Sequence, residues 1–267
     1  MVVEDYVLEL LPKLLRHIDS SKKGWCIDIG VGTAKFYFKT MAVSGYKTLA
    51  VEPLPIAQVR ELAMALPHTV LEQACVWHTD GEVPIYTGVF QEKELLDVSS
   101  IHQDWWGVSK DSKQKMVPAM TLIHLLEKHQ IKSVTYLKVD TEGSEYEILT
   151  QLSKLSEALH PAVVEFEYGG GGTKQQGVGG WEDKYFASTL QIMRELFELG
   201  YRHLSIFERE NDTYVQKYLA NTQSLESIFE AHFVYGNILM HKAAIDIATI
   251  QSPSVFQRML NKINSRK

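Results

Sequence analysis

Apolar and polar positions fall in short blocks along this chain, and the spacing inside each block predicts an element. Val7, Leu10, Leu11, Leu14, Leu15 and Ile18 recur at helical intervals, so residues 1–22 predict an amphipathic helix packed on the main domain. WCIDIG is too short for a helix and is bounded by glycine, which predicts a buried strand. AKFYFKTMAVSG then predicts a helix stopped at Gly45, YKTLAVEP a strand, and PIAQVRELAMALP a helix closed by Pro67. HTVLEQACVW predicts a third strand. Strands alternating with helices predict an α/β fold with a parallel sheet covered on both faces.

The middle is less regular. TDGEVPIYTG predicts a short strand after the Asp80-Gly81 turn, and residues 91–113 are polar without a clear period. KMVPAMTL reads as extended and LIHLLEKHQ as a short helix. VTYLKVD predicts a strand ending on Asp140, and SEYEILTQLSKLSEAL a helix opened by a Ser144-x-x-Glu147 capping box. PAVVEFEY predicts a further strand, WEDKYFASTLQIMRELFELG a helix, and YRHLSIFERE and HFVYGNILMHK two late strands. A main domain over 23–245 follows, with 246–267 as a tail or terminal helix.

Bulk composition narrows the functional classes. The 267 residues are 45% apolar, enough for one large core, and the net charge of −6 carries no basic stripe, which speaks against a nucleic-acid partner. Cys26 and Cys75 give no disulfide framework and no metal spacing. No window approaches the ~20 apolar residues of a membrane span, and the N-terminus lacks a basic secretory region, so the expectation is a cytoplasmic protein without a membrane partner.

Two clusters carry chemistry. DIGVGTA, Asp28 to Ala34, closes the first strand with glycines that let the backbone turn tightly toward a ligand at a helix N-terminus. Glu52 ends the second strand, where a carboxylate can accept hydrogen bonds from ribose hydroxyls. Lys35 stands where a dinucleotide fingerprint has its third glycine, and Asp28 would repel a pyrophosphate. S-adenosylmethionine, with a sulfonium, an amino group and a ribose but no phosphate, suits the pattern better. The second cluster is YLKVDTEGSEYEIL, Tyr136 to Leu149. Asp140 and Glu142 sit at a strand end, where open sheets place ligands, and either is a candidate general base for methyl transfer to a hydroxyl.

This second cluster resembles the signature of the FkbM family of methyltransferases, a lysine–x–aspartate–x–glutamate–glycine–x–glutamate pattern matched by Lys138, Asp140, Glu142, Gly143 and Glu145. The D-x-G-x-G turn followed by a strand ending in Glu is similar to the first motifs of class I methyltransferases. WHTDGEVPIY, MTLIHLL and VVEFEY extend the resemblance across roughly residues 24–170. Gly32, Ala34 and Ile123 depart from it, standing where members commonly carry Asn, Gly and Asp.

The resemblance implies a Rossmann-like, doubly wound, mostly parallel seven-stranded sheet and an S-adenosylmethionine-dependent transfer of methyl to a hydroxyl of a small molecule, sugar or secondary metabolite. Cofactor contacts are expected from Asp28, Gly30, Val31, Gly32, Thr33, Glu52, Pro53, Asp140, and, at the adenine, Cys75 and Val76. Lys138, Asp140 and Glu142 are the expected catalytic set. Glu165, Glu167, Tyr168, Trp105 and Trp106 are expected at the acceptor, a small molecule or glycan. A divalent metal on Asp140, Glu165 and Glu167 is the less favoured addition. The glycine run from Gly169 to Gly180 is expected to be a mobile lid. An NAD(P)-binding oxidoreductase and a non-catalytic partner subunit are the alternatives.

Overall fold

The computed structural model describes residues 3–34, 36–90, 93–105, 108, 112–208 and 213–250. Trp106 and most of the 246–267 segment lie outside these residues. The first third runs α1 (Val3–Ile18), β1 (Trp25–Ile29), α2 (Tyr37–Val43), β2 (Lys47–Val51), α3 (Ala57–Ala65) and β3 (Thr69–Glu72). Four strands follow, β4 (Cys75–Val76), β5 (Gly81–Phe90), β6 (Lys93–Ser100) and β7 (Lys113–Met120). Then come α4 (Leu122–Lys128), β8 (Val134–Val139), α5 (Glu145–Leu149) and β9 (Val163–Gly169). The chain continues as α6 (Asp183–Glu198), β10 (His203–Glu208), β11 (Thr213–Tyr218), β12 (Tyr235–His241) and α7 (Ile247–Ile250).

The main sheet corrects the expected count and direction. It has eight strands in the order β11-β10-β12-β9-β8-β1-β2-β3 and is mixed. The five strands from β9 to β3 are parallel, whereas β12 runs antiparallel to both β9 and β10, and β11 pairs antiparallel with β10. The extra strand, TYVQKY, sits at the sheet edge with Gln216, Lys217 and Tyr218 exposed, so it lacks the apolar run that announces a central strand.

Three segments depart from the periodicity. HTVLEQACVW divides: β3 joins the main sheet, while β4 turns away to pair with β7. The polar stretch after residue 91 contains β6, which forms a hairpin with β5 and completes a second sheet, β4-β7-β5-β6. The helix expected over 144–159 is α5 alone, followed by 3-10 turns at Thr150–Lys154 and Glu157–Leu159. Its expected capping box does not form, for the Ser144 side chain makes no cap bond.

Packing follows the strand pleat. Ile27, Ile29, Leu137, Val139, Val164 and Phe166 point to one face and join the core with Leu125, Ile148 and Met193 of the helices there. Cys26, Tyr136 and Val163 point to the other face, against Leu10, Leu11, Leu14 and Leu15 of α1 and Tyr37 and Met41 of α2. Each fully buried aliphatic side chain contributes ~1.5–3 kcal/mol of transfer free energy, so the apolar stripe of α1 is a substantial part of the clamp on this face. Among the described residues no helix is long and apolar enough to cross a membrane.

Candidate active site

Register decides which carboxylates reach the cavity. β1, β8 and β9 lie side by side, with Asp28 opposite Lys138 and Lys138 opposite Glu165. Two residues further on, past the ends of β1 and β8, the same face carries Gly30, Asp140 and Glu167. In the first row Asp28 and Glu165 are sealed inside the sheet and only Lys138 reaches the cavity floor, while the second row opens at the carboxyl ends, at the point where the strand order reverses between β1 and β8.

A cavity of about 690 Å³ opens there, within the range of small-molecule sites. Its lining gathers Gly30, Val31, Gly32, Thr33, Glu52, Pro53, Cys75, Val76, Lys138, Asp140, Glu142, Glu167 and Trp105. Asp28 and Glu165, by contrast, do not line it. Asp28 is 1% exposed, accepts from the Phe38 N–H at 2.9 Å and lies 3.7 Å from the Lys138 ammonium. Glu165 is fully buried and accepts from the Tyr136 hydroxyl and from Asn237 Nδ2. Both are one pleat too deep for the direct ligand contact expected of them. Tyr168 points to the opposite face of β9 and lines a separate small cavity of about 30 Å³ with Trp105, Glu142, Glu167 and Tyr185.

The glycine turn is built for close approach. Gly30 has φ +81°, and a Cβ there would meet the Asp140 carbonyl oxygen at 1.7 Å, so only glycine fits. The Asp140 N–H donates to the Ile29 carbonyl at 2.9 Å, which fixes Asp140 beside the turn. Glu52 is oriented from two sides, accepting from the N–H groups of Gly32 at 3.1 Å and Leu54 at 2.9 Å. Burial pushes the Cys75 thiol up to about 12, so this residue is an uncharged part of the wall.

Charge at the floor is shared. Lys138 Nζ donates to Asp140 Oδ2 at 3.0 Å and lies 4.7 Å from the Tyr37 ring centroid. Burial works to lower the Lys138 pKa, but Asp140, Asp28 and Glu165 outweigh it and hold the amine protonated above its ordinary range. Burial raises Asp28 to about 6, with Lys138 and the Phe38 N–H opposing.

The turn from β8 to α5 holds a second carboxylate in place. Glu142 adopts φ +55°, a left-handed conformation that costs a non-glycine residue roughly 1–2 kcal/mol. Its carbonyl accepts from Ser100 Oγ at 2.6 Å and its Oε2 from the Trp105 indole N–H at 2.8 Å. Glu145 folds back to accept from the N–H groups of Thr141 at 2.7 Å and Gly143 at 3.1 Å, which fixes the turn ahead of α5. Burial raises its carboxyl to about 7 against those hydrogen bonds.

Asp140, Glu142 and Glu167 each bring one oxygen within 4.8 Å of the others. Glu142 therefore stands where the sequence reading put Glu165 in a candidate metal set. Lys138 already supplies a cation to Asp140.

Several wall residues gave little sequence signal. Ile85, Leu96, Val98 and Ile101 come from the second sheet and its exit, and Val234 and Tyr235 from the approach to β12. Leu96 and Val98 do alternate along β6, which was the available clue. Gly169 to Gly172 form part of the rim, as a strand-end position implies. The run expected to be a mobile lid is folded here as a corner. Gly170, Lys174 and Gln175 donate backbone N–H groups to the carbonyls of Val234, Phe233 and Ala231 at 2.8–2.9 Å. A Cβ on Gly180 would meet the Gly169 carbonyl oxygen at 1.9 Å, so the glycines let backbone pack on backbone.

A family model described as the methyltransferase FkbM domain matches residues 28–203. No curated protein and no solved structure matches the chain.

Proposed function

The chain belongs to the FkbM methyltransferase family, and from that premise we propose that it moves a methyl group from S-adenosylmethionine to a hydroxyl of a small molecule, sugar or secondary metabolite. The observation that carries this reading is the charge of the cavity. Among its described lining residues are four carboxylates, Glu52, Asp140, Glu142 and Glu167, and one cation, Lys138, already paired to Asp140. Such a lining favours a sulfonium and an ammonium and repels a pyrophosphate, which argues against a nicotinamide dinucleotide.

The residues divide the work along the cavity. Gly30 and Gly32 form the turn against which the methionine end rests, with Asp140 facing its charge. Glu52, held by two backbone N–H groups, accepts from the ribose hydroxyls. Ala74, Cys75 and Val76 wall the adenine. When bound, the cofactor supplies an electrophilic methyl on a positively charged sulfur. Glu142 and Glu167 stand across the strand ends where an acceptor hydroxyl would lie, and one of them takes its proton as the new oxygen–carbon bond forms. With the cofactor bound, breaking the sulfur–methyl bond would leave its electron pair on sulfur. Trp105 and the β6 wall give the acceptor an apolar face.

Incubation with methyl-labelled S-adenosylmethionine and a small-molecule extract, followed by mass spectrometry, tests the acceptor class. A labelled methyl ether is the expected product. A labelled methylamine would overturn the hydroxyl assignment while leaving the cofactor reading in place.

A further inference from the structure

We propose that Asp28 is a positioning residue that shares the Lys138 ammonium from behind, so that Asp140 faces the cavity with net negative charge. This rests on the cofactor reading above. The sequence suggests direct contact between Asp28 and the ligand, but the pleat puts a whole residue layer between them.

Asp28 Oδ2 is occupied by the Phe38 N–H, and Oδ1 lies 3.7 Å from Lys138 Nζ. The same ammonium lies 3.0 Å from Asp140 Oδ2. Lys138 and Asp28 are nearly inaccessible, at 4% and 1% side-chain exposure, whereas Asp140 is 21% exposed and lines the cavity. The three groups form a line from the start of α2 to the cavity floor. Glu165, in the same row, is turned to Tyr136 and Asn237.

Charge counting gives the consequence. A lysine paired with Asp140 alone would cancel one of the four carboxylate charges that line the cavity. With Asp28 on its other side, the same lysine orients Asp140 and the trio keeps a net charge of −1. Removing the Asp28 charge makes the cluster one unit less negative, so that Lys138 cancels Asp140, with the Glu165 charge unchanged behind them. Removing both Asp28 and Lys138 charges returns the sum to its wild-type value and leaves the Asp140 charge facing the cavity.

This makes a prediction that direct contact does not. S-adenosylmethionine carries a sulfonium charge that S-adenosylhomocysteine lacks, while both carry the same ammonium. Affinities for the two are measured by calorimetry at pH 8, where Asp28, with its pKa near 6, is ionised. Asp28→Asn is expected to lower the ratio of S-adenosylmethionine to S-adenosylhomocysteine affinity by about fivefold or more. Asp28→Asn/Lys138→Met is expected to return the ratio to within about twofold of wild type. A ligand contact made by Asp28 itself would weaken both ligands alike and would not be rescued in the double variant; that result overturns the proposal. An unchanged ratio in Asp28→Asn overturns it as well. Should the single variant not fold, the double variant, which removes both buried charges together, decides alone: a ratio and affinities near wild type support the proposal, and a tenfold loss for both ligands refutes it. Failure of the wild-type chain to bind either ligand would refute the parent reading instead, and this one with it.

Discussion

The floor and the roof of the cavity are built by different means. The floor is the end of the parallel strands β1, β2, β8 and β9, where Gly30, Glu52, Asp140 and Glu167 take their places from strand register and backbone hydrogen bonds. The roof comes from the β5–β6 hairpin, the Trp105 segment and the glycine corner pinned to residues 231–234. Groups on the floor are fixed by neighbours one strand away. Those on the roof are fixed by side chains reaching across tens of residues, as Trp105 does to Glu142 and Lys184 to Asp104. The division suggests that cofactor affinity belongs to the floor and acceptor choice to the roof.

The most severe way to break this division is Gly30→Ala. The added Cβ has no space beside the Asp140 carbonyl and the backbone is left-handed there, so a loss of roughly 3 kcal/mol in stability is expected from overpacking and strain together. Thermal unfolding should show it, along with loss of cofactor binding. Glu52→Ala should fold normally and weaken S-adenosylmethionine binding by ~1–3 kcal/mol, the cost of hydrogen bonds to a charged group. Unchanged affinity would remove Glu52 from the ribose.

On the roof, Trp105→Phe deletes the N–H that holds Glu142. A stability loss of about 1 kcal/mol is expected, with cofactor affinity changed by less than about twofold. If this variant weakened the cofactor as much as Glu52→Ala, the floor and roof would not be separable.

A pH-dependent effect concerns Glu145, in the turn between them. Its pKa is raised on folding from 4.5 to about 7, chiefly by burial. A raised acid adds stability below its unfolded pKa and loses it as pH rises through the folded value. The stability advantage of wild type over Glu145→Gln should therefore shrink between about pH 4.5 and 7, read as the difference in Tm. A difference that widened over this interval would mean Glu145 is held as a carboxylate from low pH.

The same contrast explains how much was legible in the sequence. Floor elements are short and local, so β1, β2 and β8 follow from apolar runs and the Gly30 turn from its glycines. Which of the alternating acids would surface did not follow, because Asp28 and Asp140, or Glu165 and Glu167, differ only in depth along a strand, and depth needs the pairing register. On the roof, β6 is polar and Trp105 lies in a polar segment, and their places depend on the β5–β6 hairpin that β7 seats and on α6, where Tyr185 meets the Trp105 ring edge-on. Glycines between 169 and 180 read as freedom of the backbone, whereas the structure uses them for contact; composition does not distinguish the two.

The claim at the centre of the account is that this floor accepts S-adenosylmethionine. Calorimetric titration of the wild-type chain with S-adenosylmethionine, S-adenosylhomocysteine and NAD tests it most directly. The account predicts one site that binds the first two and gives no heat with NAD. Binding of NAD without binding of S-adenosylmethionine would contradict it.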